Sequence, residues 1–363
     1  MDKKRVIGLL GVVIVVGAVI YILEAIKPDT GGSTNVVELA SSEEKSKDYP
    51  SAKEIVSPSG FVNVDKIQLA DLIGKRVILV DFWTYSCINC QRTQPYLNAW
   101  QEKYGDMGLT IVGVHTPEFE FEKDISNVQQ AVAKAGIMYP VVLDNDYATW
   151  RAYGNRYWPR KYLIDIDGYI VYDHIGEGGY EETEKIIQTL LVERAKRLGE
   201  ASTVDTSVVS VQADAPSAGV RSPEIYFGSS RNEHLANGKV GETGVQQFTP
   251  IIDIALNDLV LGSTWNIQPE FAANVSDQAT ITFRYKAKNV YVVASADAPI
   301  TVSVKRDGEP VGSFAGDDVD GNSQVIINEE QLYSLIEEDE VSEHTLEITI
   351  DGAGLQVFTF TFG

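Results

Sequence analysis

Apolar and polar residues follow three different patterns along the chain. Residues 6–23 form an uninterrupted apolar run of about 18 residues, enough to cross a bilayer core as a helix. Between 56 and 200, apolar runs with strand character alternate with helical patterns, which predicts an α/β domain with a mostly parallel sheet. From 222 to 363, apolar and polar residues alternate, which predicts an all-β sandwich.

Polar, turn-rich stretches separate these regions and set the predicted domain boundaries. Each stretch has too little apolar surface to offset the conformational entropy that the chain would lose on folding. The prediction is a membrane anchor at 1–27, a polar tether at 28–55, an α/β domain at 56–200, a linker at 201–221 and a β-sandwich at 222–363.

The spacing within each region places the individual elements. In the α/β domain, we expect strands at 77–82, 109–114, 139–143 and 162–172. Its helices are expected at 89–104, 124–135, 147–153 and 181–198. The β-sandwich is expected to contain strands at 280–285, 290–294, 300–305, 345–350 and 355–362. One short helix, at 329–337, is expected to interrupt these strands.

The flanks of the first apolar run predict its orientation. Lys3, Lys4 and Arg5 precede it, and positive charges stay on the cytoplasmic side of a membrane. The alternative is a cleaved signal peptide, but the run is longer than a usual signal and no small-residue cleavage site follows it. We therefore expect a single-pass protein of the cell membrane, with a cytoplasmic N-terminus and extracytoplasmic folded domains.

Charge and histidine spacing exclude two classes of function. The formal net charge is −22, which would repel the phosphates of a nucleic acid. The four histidines lie far apart and far from the cysteines, so no metal site is expected.

The two cysteines of the chain, Cys87 and Cys90, lie where a predicted strand runs into a predicted helix. A cysteine at a helix N-terminus meets unpaired N–H groups and the positive end of the helix dipole, which favour the thiolate. Cys87 is therefore the expected nucleophile, and Cys90, one turn later, can resolve a mixed disulfide. Half of a zinc site is the competing interpretation, but no second cysteine pair exists.

Several motifs resemble those of the thioredoxin superfamily, in particular its TlpA-like group and the thioredoxin domain of DipZ-type proteins. These motifs are DFWTYSCINC, Pro95 five residues after Cys90, GVHTPEFEFE, and Trp158-Pro159 before KYLIDIDG. The strings SPEIYFG and FTFG extend the resemblance to the last domain of DipZ-type proteins. The resemblance implies a thioredoxin-like domain, followed by a carbohydrate-binding-module-like jelly roll.

The resemblance also implies the chemistry around the cysteines. Asp81 matches the buried carboxylate that takes a proton from the resolving cysteine, while Gly113 stands where a partner lysine is common. Pro159 matches the family's cis-proline, which would turn the Trp158 backbone toward the disulfide and a bound substrate strand. The disulfide itself would be the redox group, with no further cofactor.

Other residues near these motifs are candidates for substrate contact or proton transfer. Trp83, Tyr85 and Trp158 are expected to bind substrate. Glu118 and Glu122 follow the next predicted strand and are candidates for proton transfer near the cysteines.

The expected partners are protein thiols and disulfides and a source of electrons. DipZ-type proteins carry a multi-span electron-delivering membrane domain, whereas one anchor is predicted here, which implies a separate membrane donor of the CcdA type. A cell-envelope glycan is a further expected partner of the sandwich. Its candidate stacking rings are Tyr226, Trp265, Tyr285 and Tyr291.

Two other functions compete with a disulfide reductase. A thiol peroxidase is suggested by Thr84, three residues before Cys87, although Val80 replaces the proline of that motif. An envelope-binding module with a secondary redox role is the other. Ile88 and Asn89 offer no cation to stabilise a thiolate strongly, which favours a reductase over a strong oxidant.

Overall fold

The computed structural model describes residues 42–201, 204–211 and 222–363. These residues belong to one compact unit, Ser42–Gly363. The predicted anchor at 1–27 lies outside the described residues. Within them, no helix combines the length and the apolar character that crossing a membrane requires.

The described residues contain five α-helices, all before residue 200. They are α1 (Ser42–Asp48), α2 (Ile88–Tyr104), α3 (Ile125–Lys134), α4 (Ala148–Ala152) and α5 (Tyr180–Leu198). The predicted helices correspond to α2 through α5, and their ends differ by at most one residue.

Six strands form the sheet of this first region. They are β1 (Gly60–Val62), β2 (Val77–Trp83), β3 (Leu109–His115), β4 (Val141–Leu143), β5 (Arg160–Ile164) and β6 (Ile170–Ile175). The strand order is β1-β4-β3-β2-β5-β6. The region thus has the expected thioredoxin-like α/β character, with β2 in the interior of the sheet.

The prediction of a mostly parallel sheet is wrong. The β2–β3 and β3–β4 pairs are parallel, but β1–β4, β2–β5 and β5–β6 are antiparallel. The strand predicted at 162–172 is in fact the hairpin of β5 and β6. Asp165 makes the turn, since its carbonyl accepts from Gly168 N–H and its carboxylate from Tyr169 N–H.

Strand β2 is buried on both faces, and its alternation decides where its polar residue points. Val77 and Leu79 pack into one apolar cluster, whereas Ile78 and Val80 pack into the cluster on the opposite face. Asp81 follows this alternation and falls on the face of Val77 and Leu79. That cluster also contains Cys90.

Part of the predicted tether is folded. The Lys45 ammonium on α1 is buried and donates to Asp165 at 2.5 Å, to Asp167 at 3.0 Å and to Glu193. Ala52 N–H donates to Gly168 O at 2.9 Å. A buried lysine with three carboxylate partners ties residues 42–55 to the domain, which their polar composition does not reveal.

The predicted linker is also packed where the structure describes it. Val209 N–H donates to the Glu184 carboxylate of α5, and Lys103 of α2 donates to Ser207 O. Residues 204–211 therefore lie against the first region.

The C-terminal region is all-β, as predicted. Its strands are β7 (Ile225–Tyr226), β8 (Gly244–Phe248), β9 (Leu259–Ile267), β10 (Ala272–Asn274), β11 (Ala279–Ser295), β12 (Ile300–Arg306), β13 (Glu309–Pro310), β14 (Gln324–Ile327), β15 (Gln331–Asp351) and β16 (Gln356–Phe362). They form a ten-stranded sheet with the order β13-β12-β15-β11-β16-β10-β9-β8 along its main path. An additional β11–β9 pairing closes β9, β10, β16 and β11 into a ring around one apolar core.

The prediction of a helix at 329–337 is wrong, because residues 331–337 form the start of β15, which pairs with β11. Val290 pairs with Ile336 and Tyr291 with Ser334, which leaves Leu335 as the extra residue of a β-bulge. The bulge interrupts strict alternation and buries Leu332, Tyr333, Leu335 and Ile336. Buried residues at positions 332, 333, 335 and 336 have the spacing expected of one face of a helix, which explains the wrong prediction.

Candidate active site

The Cys87 side chain lies at the N-terminus of α2. Cys87 is the N-cap residue with an extended backbone (φ −82°, ψ 114°), and its sulfur accepts from Cys90 N–H at 3.3 Å. The side chain is half-buried, and both cysteines are free thiols. The helix terminus thus offers its unpaired N–H groups to an accessible sulfur.

Cys90 is 1% exposed and lies one turn further along α2. Burial, together with the neighbouring Cys87 thiol, raises the pKa of the Cys90 thiol well above its usual range. Cys90 is therefore the protonated, shielded member of the pair. To form a disulfide it must first lose a proton to a nearby acceptor.

Asp81 is a buried carboxylate on the same side of β2 as Cys90. Burial raises the pKa of Asp81 to about 7, and the positive charge of Lys161 opposes that rise. Neither of its oxygens accepts a hydrogen bond from the residues that the structure describes. Asp81 also contributes to the high pKa of Cys90, so the two groups interact electrostatically.

Gly113 stands where the family's lysine is common, but a lysine from another strand interacts electrostatically with Asp81. Lys161 pairs with Asp81 across the β2–β5 ladder and is fully buried. Its ammonium donates to Gly176 O at 3.1 Å, and burial lowers the pKa of Lys161 while Asp81 opposes the change. A Cβ at Gly113 would lie 2.9 Å from Trp83 Nε1, so this position has no room for a side chain. The lysine comes from the neighbouring strand, in the string RKYLI, where alternation alone could have indicated its inward direction.

Trp83 and Tyr85 lie on either side of His115. The Trp83 ring and the His115 imidazole pack edge to face, with 5.1 Å between the ring centroids. The Tyr85 ring stacks on the same imidazole, with 5.7 Å between the centroids. Burial lowers the pKa of His115 to about 3, so this imidazole stays neutral. Trp83 is 2% exposed and Tyr85 is 8% exposed, and both line a cavity that is described below.

The Trp158-Pro159 peptide bond is cis, as the resemblance implied. The Trp158 indole donates to Thr116 O at 3.0 Å and packs on the Trp150 ring at 4.4 Å. Substrate contact by Trp158 stays a prediction.

Glu122 organises the loop before Cys87. Its buried carboxylate accepts from the hydroxyl of Ser86 at 2.7 Å and from the backbone N–H groups of Ser86, Glu118 and Phe119. Burial raises the pKa of Glu122, and the bonds from Ser86 limit the rise. With its oxygens engaged in this way, Glu122 has the environment of a structural carboxylate.

Glu118 faces the C-terminal region. Its carboxylate accepts from Arg231 Nη1 at 2.7 Å and from the Tyr226 hydroxyl at 2.8 Å. The expectation of a proton-transfer role for Glu118 is therefore not supported by its contacts.

The C-terminal region forms one side of the candidate site, which the sequence did not indicate. Ile88, between the cysteines, packs in a cluster with Tyr291, Leu332 and Phe358. Arg92, on the next turn of α2, donates to the Tyr291 hydroxyl at 3.1 Å. The two regions therefore share an apolar contact, in which side chains from both sides are buried together.

The four aromatic rings that were expected to stack on a sugar are buried or lie at the contact between the two regions. Trp265 and Tyr285 are fully buried in the core of the C-terminal region, and Tyr291 is 7% exposed. Tyr226 lies at the contact between the two regions, under the Arg231 guanidinium. These rings form no exposed platform for a glycan.

Known protein families match both regions of the chain. The family model described as Redoxin matches residues 51–191, and the one described as Thioredoxin like C-terminal domain matches residues 222–363. Protein DipZ of Mycobacterium tuberculosis is 36% identical over 317 residues, which is 86% of this chain and 43% of that protein. The chain thus spans less than half the length of this relative.

Two shorter relatives match the first region over most of their own length. Thiol-disulfide oxidoreductase YkuV of Bacillus subtilis is 30% identical over 39% of this chain and 93% of that protein. Thiol-disulfide oxidoreductase ResA of Bacillus thuringiensis is 34% identical over 34% of this chain and 69% of that protein. Since YkuV and ResA are at least 30% identical and are matched over most of their length, the chain belongs to the thioredoxin superfamily, in the family of thioredoxin-like thiol-disulfide oxidoreductases.

Proposed function

We propose that the chain is a membrane-anchored, extracytoplasmic reductase of protein disulfides, with Cys87 and Cys90 as its redox pair. The observation that carries the proposal is the asymmetry of the two thiols. One lies half-buried at a helix N-terminus, and the other is buried beside a carboxylate whose pKa is about 7.

The first step is attack on the substrate. The Cys87 thiolate attacks one sulfur of a substrate disulfide, the substrate S–S bond breaks, and the other substrate sulfur leaves with the electron pair. A mixed disulfide between Cys87 and the substrate results. Access requires an exposed sulfur, and Cys87 is the less buried of the two cysteines.

The second step is resolution. Cys90 gives its proton to the Asp81 carboxylate and attacks the Cys87 sulfur. The Cys87–Cys90 disulfide forms, and the remaining substrate sulfur leaves as a thiolate and is protonated. The substrate gains two electrons, and the pair loses two.

A donor must then return two electrons to the pair. The proposed donor is a separate membrane protein of the CcdA type. The electrons are carried by the cysteines themselves, so the proposal requires no further cofactor.

The reductase direction rests on the surroundings of the nucleophile. Ile88 and Asn89 bring no positive charge between the cysteines, and Ile88 packs among apolar side chains. Without a positive charge between the cysteines, the reduced form is stabilised less than it is in a strong oxidant, so the pair gives up electrons more readily.

Substitution of each cysteine tests the assignment. Cys90→Ser should accumulate a covalent mixed disulfide through Cys87, detected as a mass increase that dithiothreitol removes. Cys87→Ser should form no such adduct and should not reduce a disulfide. Reduction by Cys87→Ser at the wild-type rate would show that the redox pair is assigned wrongly.

The proposed location has its own test. The full-length protein should remain with membranes after a carbonate wash, because residues 6–23 are apolar and follow three basic residues. Protease added outside spheroplasts should digest the folded regions. A soluble form beginning near residue 25, or full protection from the protease, would contradict the location.

A further inference from the structure

A cavity of about 640 Å³ lies between the first region and the C-terminal region, and the steps above do not use it. Trp83, Tyr85 and residues of α2 and α3 form one wall, and the ends of β11 and β15 form the other. The lining is rich in side-chain amides from both regions. They include Gln91, Gln94, Gln130, Asn328, Gln331 and Gln356.

One of these amides has an unpaired donor. Gln94 is 4% exposed, and its carbonyl oxygen accepts from the Tyr139 hydroxyl. Its Nε2 has no hydrogen-bond partner among the described residues. A buried donor without an acceptor is unfavourable, and an acceptor atom of a ligand in this cavity would relieve it.

The cavity lies within reach of a substrate held at Cys87. Tyr85, in its wall, is two residues from Cys87, a separation of at most about 7 Å along an extended chain. Leu332, in the opposite wall, also belongs to the cluster around Ile88. A polypeptide joined to Cys87 through its cysteine therefore needs only a few more residues to enter.

We propose that this cavity binds the polypeptide segment next to the reacting cysteine of a protein substrate, an inference that rests on the proposed function. Each amide offers a donor and an acceptor, which matches the alternating N–H and C=O groups of an extended chain. Sugar hydroxyls could meet similar groups. The polypeptide is favoured because the reacting atom is a cysteine sulfur, and its flanking residues must pass close to this wall.

Charged residues in the lining predict which segments bind best. Asp297, Glu329 and Glu330 contribute carboxylates, and Lys134 contributes one ammonium that already donates to Gln331 at 2.9 Å. The excess of negative charge favours lysine or arginine beside the cysteine and disfavours aspartate or glutamate.

The test compares two probes with the same leaving group. One is a short lysine-containing peptide whose single cysteine is linked to thionitrobenzoate, and the other is N-acetyl-cysteinamide linked to thionitrobenzoate. Reduced full-length protein attacks the cysteine sulfur, and release of the coloured thiolate gives the second-order rate constant. The ratio of the two constants isolates the contribution of the flanking residues.

Wild type should prefer the peptide at least tenfold, and a glutamate-containing peptide should lose most of that preference. Asn328→Trp, which fills the cavity, should lower the ratio about tenfold. The matched control Asn322→Trp changes an exposed asparagine outside the cavity and should leave the ratio unchanged.

Three outcomes are distinguishable. An unchanged ratio in Asn328→Trp overturns the proposed peptide site while leaving the redox assignment intact. Inhibition of the peptide reaction by chitotriose or maltotriose, lost in Asn328→Trp, would show a sugar site and also overturn the proposal. Failure of wild type to react with either probe would contradict the proposed function itself.

Discussion

At the residue scale, the site depends on how burial changes the acidity of neighbouring groups. The pKa of Cys90 is raised well above its usual range, while that of Asp81 is raised only to about 7 because Lys161 opposes the effect of burial. A carboxyl group whose pKa is near 7 can be ionised before the resolving step and can hold the proton of Cys90 after it. We therefore propose that Lys161 is a positioning residue, whose charge keeps the pKa of Asp81 near 7.

The pH dependence of resolution tests this assignment. Below pH 7 Asp81 is mostly protonated and cannot accept a proton, whereas above pH 7 it is ionised and can. Release of substrate from the mixed disulfide should therefore speed up as the pH rises through about 7. Asp81→Asn should slow release about a hundredfold at pH 8 and remove this inflection.

Stopped-flow measurement of substrate release across pH 5–9 gives the profile. Asp144→Asn is the matched control, because Asp144 is a buried carboxylate that accepts from Thr149 and Trp150 at the start of α4. An inflection near pH 7 that survives in Asp81→Asn would rule out Asp81 as the acceptor.

At the element scale, hydrophobic patterning identified α2 through α5 from their helical spacing of apolar residues, and it identified β2 from its nearly continuous apolar run. It failed where the period is broken. The bulge at Leu335 made a strand resemble a helix, and the turn at Asp165 lay inside what looked like one continuous strand. A single sequence does not show which local irregularity a partner strand imposes.

The same limit explains which site residues could be found. The two cysteines lie at the junction of β2 and α2, so their position in the sequence identified them, whereas Asp81 on β2 was identified by the resemblance to the thioredoxin superfamily. Lys161, which pairs with Asp81, and Tyr291, which accepts from Arg92, lie far from the cysteines in the sequence. Their roles depend on strand pairing and on packing between regions, which spacing does not encode.

At the scale of the whole molecule, the candidate active site and the C-terminal region share one apolar contact. Phe358 packs on Phe119 at 5.1 Å and on Phe121 at 4.8 Å, next to Ile88. The C-terminal region is therefore part of the active-site wall and more than an appended binding module.

Truncation of Phe358 tests this coupling. Phe358 is 3% exposed, so Phe358→Ala should destabilise the protein by about 3 to 5 kcal/mol and separate the unfolding of the two regions. Calorimetry should show one transition in wild type and two in the variant. Phe314→Ala, at a ring that is 37% exposed, is the control and should keep one transition. Two independent transitions in wild type would contradict the coupling.

The reduction potential of the Cys87–Cys90 pair is the most direct test of the account. Full-length protein is equilibrated with glutathione or dithiothreitol couples, and free thiols are counted by alkylation and mass measurement. The account predicts one two-electron transition involving both cysteines, at a potential more negative than about −200 mV, as expected of a reductase. A transition near about −120 mV, typical of a strong oxidant, would contradict the direction, and the absence of any two-thiol transition would contradict the redox pair.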